Sequence, residues 1–242
     1  MLAGLVLTAW LALWLWGSSP SARYLGHSGQ RPATDGWLEL ALFLAGWTLM
    51  VIAVMLPTAT QLLRAFAGVV RNRPRRGLLE GLLVAGFLGA WLLVGYLFRV
   101  ADLGLHGLVA SVGWLQVHTR LLGAGALVLA GVYQLTPLKR RCLTACRSPR
   151  GFIYRGWQGR SAAGDAVRIG FAYGWSCVGC CWALMLVMFA LGLGSLAWML
   201  GVGALMAVEK GTAAGQRLSW PIGLALAATG IAVALNVWPP PA

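Results

Sequence analysis

Three cysteines stand inside an apolar run. Residues 173–188 read YGWSCVGCCWALMLVM, and no charged residue occurs from position 171 to 208. Thiolates and thioethers are soft donors that select Cu(I) over hard cations, and thiolates also take Zn(II). On a helix advancing about 100° per residue, Cys177, Cys181, Leu184 and Met188 fall near one line. Cys180 lies on one shoulder and Met185 on the other, so the five sulfur atoms share roughly 140° of arc. No His or carboxylate shares this face, which favours Cu(I), with zinc as the alternative. The competing reading is packing, because Cys is a small apolar residue and Met fills gaps. Gly170 and Gly174 lie on the same face one and two turns earlier. Small residues at that spacing let a second helix approach closely, so the sulfur face is expected to meet protein and not lipid.

A second pair, Cys142 and Cys146, sits in KRRCLTACRSP. Spacing of four places both thiols on one helical face. Lys139, Arg140, Arg141 and Arg147 flank them, and neighbouring cations favour thiolates, which bind metals and attack disulfides. Cys177 follows Arg168 by nine residues, a depth of roughly 13 Å at 1.5 Å per residue. The simple geometry therefore predicts two thiol stations, one near the surface and one deep. A single five-thiol site requires the basic segment to fold back into the bundle.

The elements that must position these groups are helices in a membrane. The chain has 242 residues, of which 59% are hydrophobic and 10% charged. Soluble domains carry about 25% charged residues. Apolar runs of near spanning length predict an all-α, polytopic transmembrane helical bundle of about six to seven spans, one unit over residues 1–242. The expected spans are 2–16, 37–70, 77–98, 119–138, 166–193, 196–208 and 218–237. Pro57 predicts a kink near Ala53 in the second, with Met50 and Met55 on either side. Polar loops are expected at 17–36, at the Gly194–Ser195 turn and in the Pro-rich tail. Residues 99–118 read as amphipathic, with an interfacial or re-entrant patch at 108–114. Trp16, Trp37, Trp220 and Trp238 stand near expected span ends, where indoles favour the interface.

The net charge of +13 does not point to nucleic acid, because the basic residues sit in short loops between spans. Fifteen of the nineteen Lys and Arg fall on one expected side, eight of them in the basic cytoplasmic loop 139–168. Arg23, Arg31, Arg99 and Arg120 fall on the other. This asymmetry predicts a cytoplasmic N-terminus and a C-terminus outside. Tyr133 and Gln134 are expected to hydrogen-bond neighbouring helices, Glu80 to pair with a preceding arginine, and Glu209 and Lys210 to mark the membrane surface. His106 and His118 are expected outside the bilayer, as surface residues.

The runs MVIAVMLP (50–57), AGVYQLTPLKRRCLTACRSP (130–149), CVGCCWALM (177–185) and VEK (208–210) resemble a bacterial family of integral membrane proteins described as metal-binding and of unknown function. The resemblance covers residues 37–210 and matches Cys142, Cys146, Cys177, Cys180 and Cys181 to the family cysteines. Val54 stands before Met55 where the family pattern would pair two methionines. The resemblance implies metal binding and a place in the bacterial inner membrane.

Three functions stay open on these residues. The first is copper handling or delivery through Cys and Met ligands, with a protein that supplies or receives the metal. The second is thiol redox exchange, disfavoured because adjacent cysteines on a helix do not reach disulfide geometry easily. The third is an assembly scaffold whose cysteines only pack. An enzyme is not expected: there is no nucleophile–base constellation, carboxylate pair or nucleotide loop.

Overall fold

The computed structural model describes residues 2–18, 36–118, 120–159, 161–190, 196–212 and 215–235. The expected loop at 17–36, the Gly194–Ser195 turn and the Pro-rich tail lie largely or wholly outside the described residues. Among those described, the chain is helical throughout, in the order α1 (Leu2–Gly17), α2 (Gly36–Val54), α3 (Thr60–Val69), α4 (Arg76–Ser111), α5 (Gly113–Val117), α6 (Arg120–Leu135), α7 (Pro137–Arg147), α8 (Arg150–Gly156), α9 (Ala162–Ala190), α10 (Leu196–Gly211) and α11 (Gly215–Ala234).

Four helices, α2, α4, α9 and α11, are long and apolar enough to cross a membrane. The number rises to five if α6 and α7, bent 66° from one another, count as one broken span. α1 is apolar but shorter.

Helix α9 packs along α4, and α6 along α11. Small residues set the first of these interfaces, as the glycine spacing predicts. A Cβ built on Gly170 would lie 2.0 Å from the carbonyl oxygen of Leu83, and one on Gly86 would lie 2.2 Å from that of Val167. Both obstructions are backbone, which cannot rotate aside. The main core draws on α1 to α4 and α7 to α10 and contains four of the five cysteines, with Cys142 packed against it. Trp47 is fully buried there and donates its indole N–H to the Trp91 carbonyl at 2.8 Å, tying α2 to α4.

The break at Pro57 follows from its missing N–H. Helix α2 stops at Val54, the Val51 carbonyl accepts from both Met55 N (2.8 Å) and Leu56 N (3.1 Å), and a 3-10 turn spans Pro57–Ala59. The Ala53 carbonyl, which Pro57 cannot serve, accepts instead from the Trp10 indole of α1 at 3.2 Å.

Two expectations change. Residues 99–111 form no separate interfacial helix but continue α4. Their charges are neutralised within the protein, so nothing forces the helix to end: Arg99 pairs with Asp102 at 3.0 Å and with Glu39 of α2 at 3.2 Å, and His106 meets Asp102 at 3.2 Å. The basic segment 139–168 is also not an open loop, because α7 and α8 both lie against α9. Glu80 does pair with Arg76, at 2.6 Å.

Candidate metal centre

On α9 the i, i+3, i+4 spacing of Cys177, Cys180 and Cys181 turns all three thiols to one side. They are buried, and their sulfurs lie within 4.8 Å of one another. The Cys180 and Cys181 sulfurs are 3.2 Å apart. All five cysteines are free thiols.

Helix α7 brings a fourth thiol. Thr136 is extended and its side-chain oxygen accepts from Lys139 N at 3.3 Å, with Pro137 opening the helix. This pairing of a Thr cap with Pro at the first turn starts a new helix and not a continuation of α6. The resulting bend lays α7 across α9. There Tyr173 donates to the Cys146 carbonyl at 3.0 Å and Ser176 to the Cys142 carbonyl at 3.3 Å. The Cys146 sulfur then stands 3.8 Å from that of Cys180. Cys142 packs over Gly179, where an added Cβ would come 2.6 Å from its sulfur. The expectation of two separate stations is thus overturned: the bend at Thr136 folds the second pair back onto the first. Tyr133 holds the same point from α6 by donating to the Gly179 carbonyl.

A lysine closes the site. Lys210 of α10 is buried, and its Nζ donates to Cys177 Sγ at 3.0 Å and to Thr58 Oγ1 at 3.1 Å, with Met55 Sδ at 3.9 Å. Beside it, Glu209 receives Lys139 Nζ at 2.7 and 2.8 Å, Ser219 at 3.0 Å and Gln134 at 3.5 Å, and the ion pair is buried on both sides. Glu209 and Lys210, expected at the membrane surface, are buried against protein partners. Their partners, Lys139 and Cys177, lie far away in sequence, so no local signal announces the burial. Gln134 and Tyr133 do bond neighbouring helices as expected.

The cations flanking Cys142 also act differently from the sequence reading. Lys139 is committed to Glu209, and burial pushes the Cys142 thiol above its ordinary pKa. Among the described residues, the cation that touches a thiol is Lys210.

Of the expected methionines, Met185 and Met188 are buried in the same core as the thiols. Sequence reasoning missed Met199 and Met206 of α10, which are equally buried in it. Met55, just before the Pro57 turn, lies 3.9 Å from Lys210 through its sulfur.

The donor set suits one soft ion. Sulfurs bound to a common ion at about 2.3 Å stand about 3.8 Å apart in a tetrahedral arrangement. The Cys146–Cys180 separation of 3.8 Å equals that value, the Cys180–Cys181 separation of 3.2 Å is shorter, and the three α9 sulfurs all lie within 4.8 Å of one another. A family model described as a copper chaperone, PpoB2, matches residues 44–233. The chain belongs to this copper chaperone family. The match takes in all five cysteines, Lys139, Glu209 and Lys210, and runs into α11, beyond the motifs visible in the sequence. It supports the metal-related part of the resemblance noted above. No curated protein and no solved structure matches the chain. For a copper chaperone the ion is cargo, and the buried triad of Cys177, Cys180 and Cys181 could hold a metal ion.

Proposed function

We propose that the chain is a multi-pass inner-membrane protein that binds Cu(I) as cargo and passes it to, or takes it from, a partner protein. The observation that carries this reading is the meeting of Cys146, Cys177, Cys180 and Cys181 in a buried cluster beside a thioether, a hydroxyl and an ammonium. Cu(I) is favoured over zinc because, among the described residues, no imidazole or carboxylate touches the sulfurs. Cu(I) on two thiolates carries a net −1, which one lysine cancels. Lys210 is the one cation in contact with the set among the described residues. Cys142, Met185 and Met188 complete the proposed ligand shell around the four touching thiols.

Membrane insertion is supported by the four or five spanning-length helices and by large apolar side chains turned outward. Leu92, Leu97 and Leu103 of α4, Leu200 of α10, and Leu224 and Ile231 of α11 are exposed. A soluble monomer rarely exposes so much contiguous apolar surface. With α1 and α10 crossing as well, the basic α7–α8 segment favours its own placement in the cytoplasm, with the N-terminus on the same side and the C-terminus outside. The chain then acts by binding and transfer and not by catalysis.

The test is the metal content of protein purified anaerobically in detergent, beside a Cys177→Ser/Cys180→Ser/Cys181→Ser variant. Copper in the wild type and none in the folded variant is the expected result. Equal copper in both would remove the thiols from the function. Zinc in place of copper would overturn the choice of ion.

A further inference from the structure

Helices α7, α8 and α9 enclose a second feature on the side of α7 away from the thiols. It is an open cleft of about 780 Å³. Arg140, Arg141, Arg155 and Arg168 line it, and Phe152 and Ile169 are among the apolar residues beneath them. All four arginines are exposed. No acidic residue lines the cleft. The carboxylates of the described residues are committed elsewhere: Glu39 and Asp102 to Arg99, Glu80 to Arg76, Glu209 to Lys139, and Asp165 to the backbone N–H groups of Gln158 and Gly159. Arg168 donates to the Gly156 carbonyl, which bridges α9 to α8 across the cleft and leaves its charge uncancelled. Four guanidinium groups converge here, and among the described residues nothing neutralises them.

We infer that this cleft binds the headgroup of an anionic phospholipid. The class of ligand follows from two properties together. The rim offers forked donors that match the oxygens of a phosphate diester. The floor is apolar and sits at the start of α9, whose outer face continues with the exposed, stacked Phe171 and Trp175. A headgroup on the rim thus leaves its acyl chain along an apolar helix, whereas a protein carboxylate would use the rim alone. Basic pockets between helices at the cytoplasmic face bind anionic lipids by this chemistry. The volume lies within the range of about 300–1,000 Å³ typical of small-molecule sites. The bound lipid bridges α7, α8 and α9, and so clamps the helix that carries Cys142 and Cys146 onto the helix that carries the other thiols. The inference rests on the membrane reading above.

Native mass spectrometry of the full chain, released from neutral detergent micelles with equimolar phosphatidylglycerol and phosphatidylcholine, tests it. The comparison is with an Arg140→Gln/Arg141→Gln/Arg155→Gln variant, which removes three charges that hold no carboxylate. The expected result is a phosphatidylglycerol adduct preferred over phosphatidylcholine, weakened on the order of a hundredfold in the variant. Thermal unfolding in detergent reports whether the variant is folded, and the corresponding triple Lys variant should retain part of the preference. Equal binding of the two lipids, or an unchanged preference in the variant, overturns the inference. So does inorganic phosphate binding as tightly as the lipid, since the acyl chain would then contribute nothing. Displacement by a poly-glutamate peptide without any lipid adduct would reassign the cleft to an acidic protein. Recovery of the chain in the carbonate-washed soluble fraction would overturn the membrane reading as well, and that outcome is separable from all the others.

Discussion

Two clusters of buried charge among the described residues are built differently. Near the far end of α4, Arg99 is met by Glu39 and Asp102, and Asp102 also meets His106. Every charge there has an opposite partner from the protein itself. Beside the thiols, Lys139 and Glu209 form an equally complete pair, but Lys210 one residue along has no carboxylate partner among the described residues. Its polar contacts are a thiol and a hydroxyl. A buried ion is expensive unless it is paired, so Lys210 fits a site whose thiols supply the compensating negative charge as thiolates. The first cluster is explained by folding alone. The second makes sense as a place where sulfur carries negative charge around a bound cation.

Breaking the complete pair gives the largest expected loss of stability. Lys139→Met leaves the Glu209 carboxylate buried with only Ser219 and Gln134, at a cost of about 3–5 kcal/mol. Thermal unfolding in detergent measures it, and the Lys139→Met/Glu209→Met double variant should recover most of the loss. A double variant no more stable than the single would mean that the pair is not the source of the effect.

Arg99→Met should destabilise by about 2–3 kcal/mol, less than the first because Glu39 and Asp102 retain some access to solvent. Copper per folded molecule should stay unchanged. Copper loss from this variant would erase the distinction between the two clusters.

Lys210→Met sharpens the contrast by opposite signs. Without metal, removing an uncompensated buried ammonium should leave stability unchanged or raised. With metal, losing its attraction to the copper–thiolate unit should weaken Cu(I) binding by roughly tenfold to a hundredfold. Competition with a chromogenic Cu(I) chelator reads the affinity, and unfolding reads the stability. A variant that loses both together would make Lys210 an ordinary structural residue.

These differences also mark where the sequence was readable. The thiol face of α9, the close approach at Gly170 and the break at Pro57 are local consequences of spacing or of a missing donor, so each is visible in a short window. The fold-back of α7 was encoded as well, in Thr136 and Pro137, but that signal reads as a span end as easily as a new helix start. Only the Tyr173 and Ser176 contacts decide it, and they join residues about thirty positions apart. The continuation of α4 past Phe98 depends on Glu39, sixty residues earlier. The burial of Glu209 depends on Lys139, seventy residues earlier. Charged residues at the end of an apolar run look alike from sequence whether they face water or one another.

The smallest expected effect separates the scaffold around the thiols from the thiols themselves. Tyr133 donates to the Gly179 carbonyl, the point on α9 over which Cys142 packs. Tyr133→Phe removes that hydrogen bond but keeps the ring against Trp182, which it meets edge-on at 4.8 Å. The expected cost is about 1 kcal/mol, the ordinary net value of one hydrogen bond. Copper binding should be retained, because Cys146, and not Cys142, makes the contact with Cys180. Cys146→Ser should accordingly weaken copper binding more than Cys142→Ser does. If Tyr133→Phe and Cys142→Ser both lost copper as fully as Cys146→Ser, the half-buried thiol at Gly179 would belong to the inner ligand set, and the site would be built from five sulfurs in place of four.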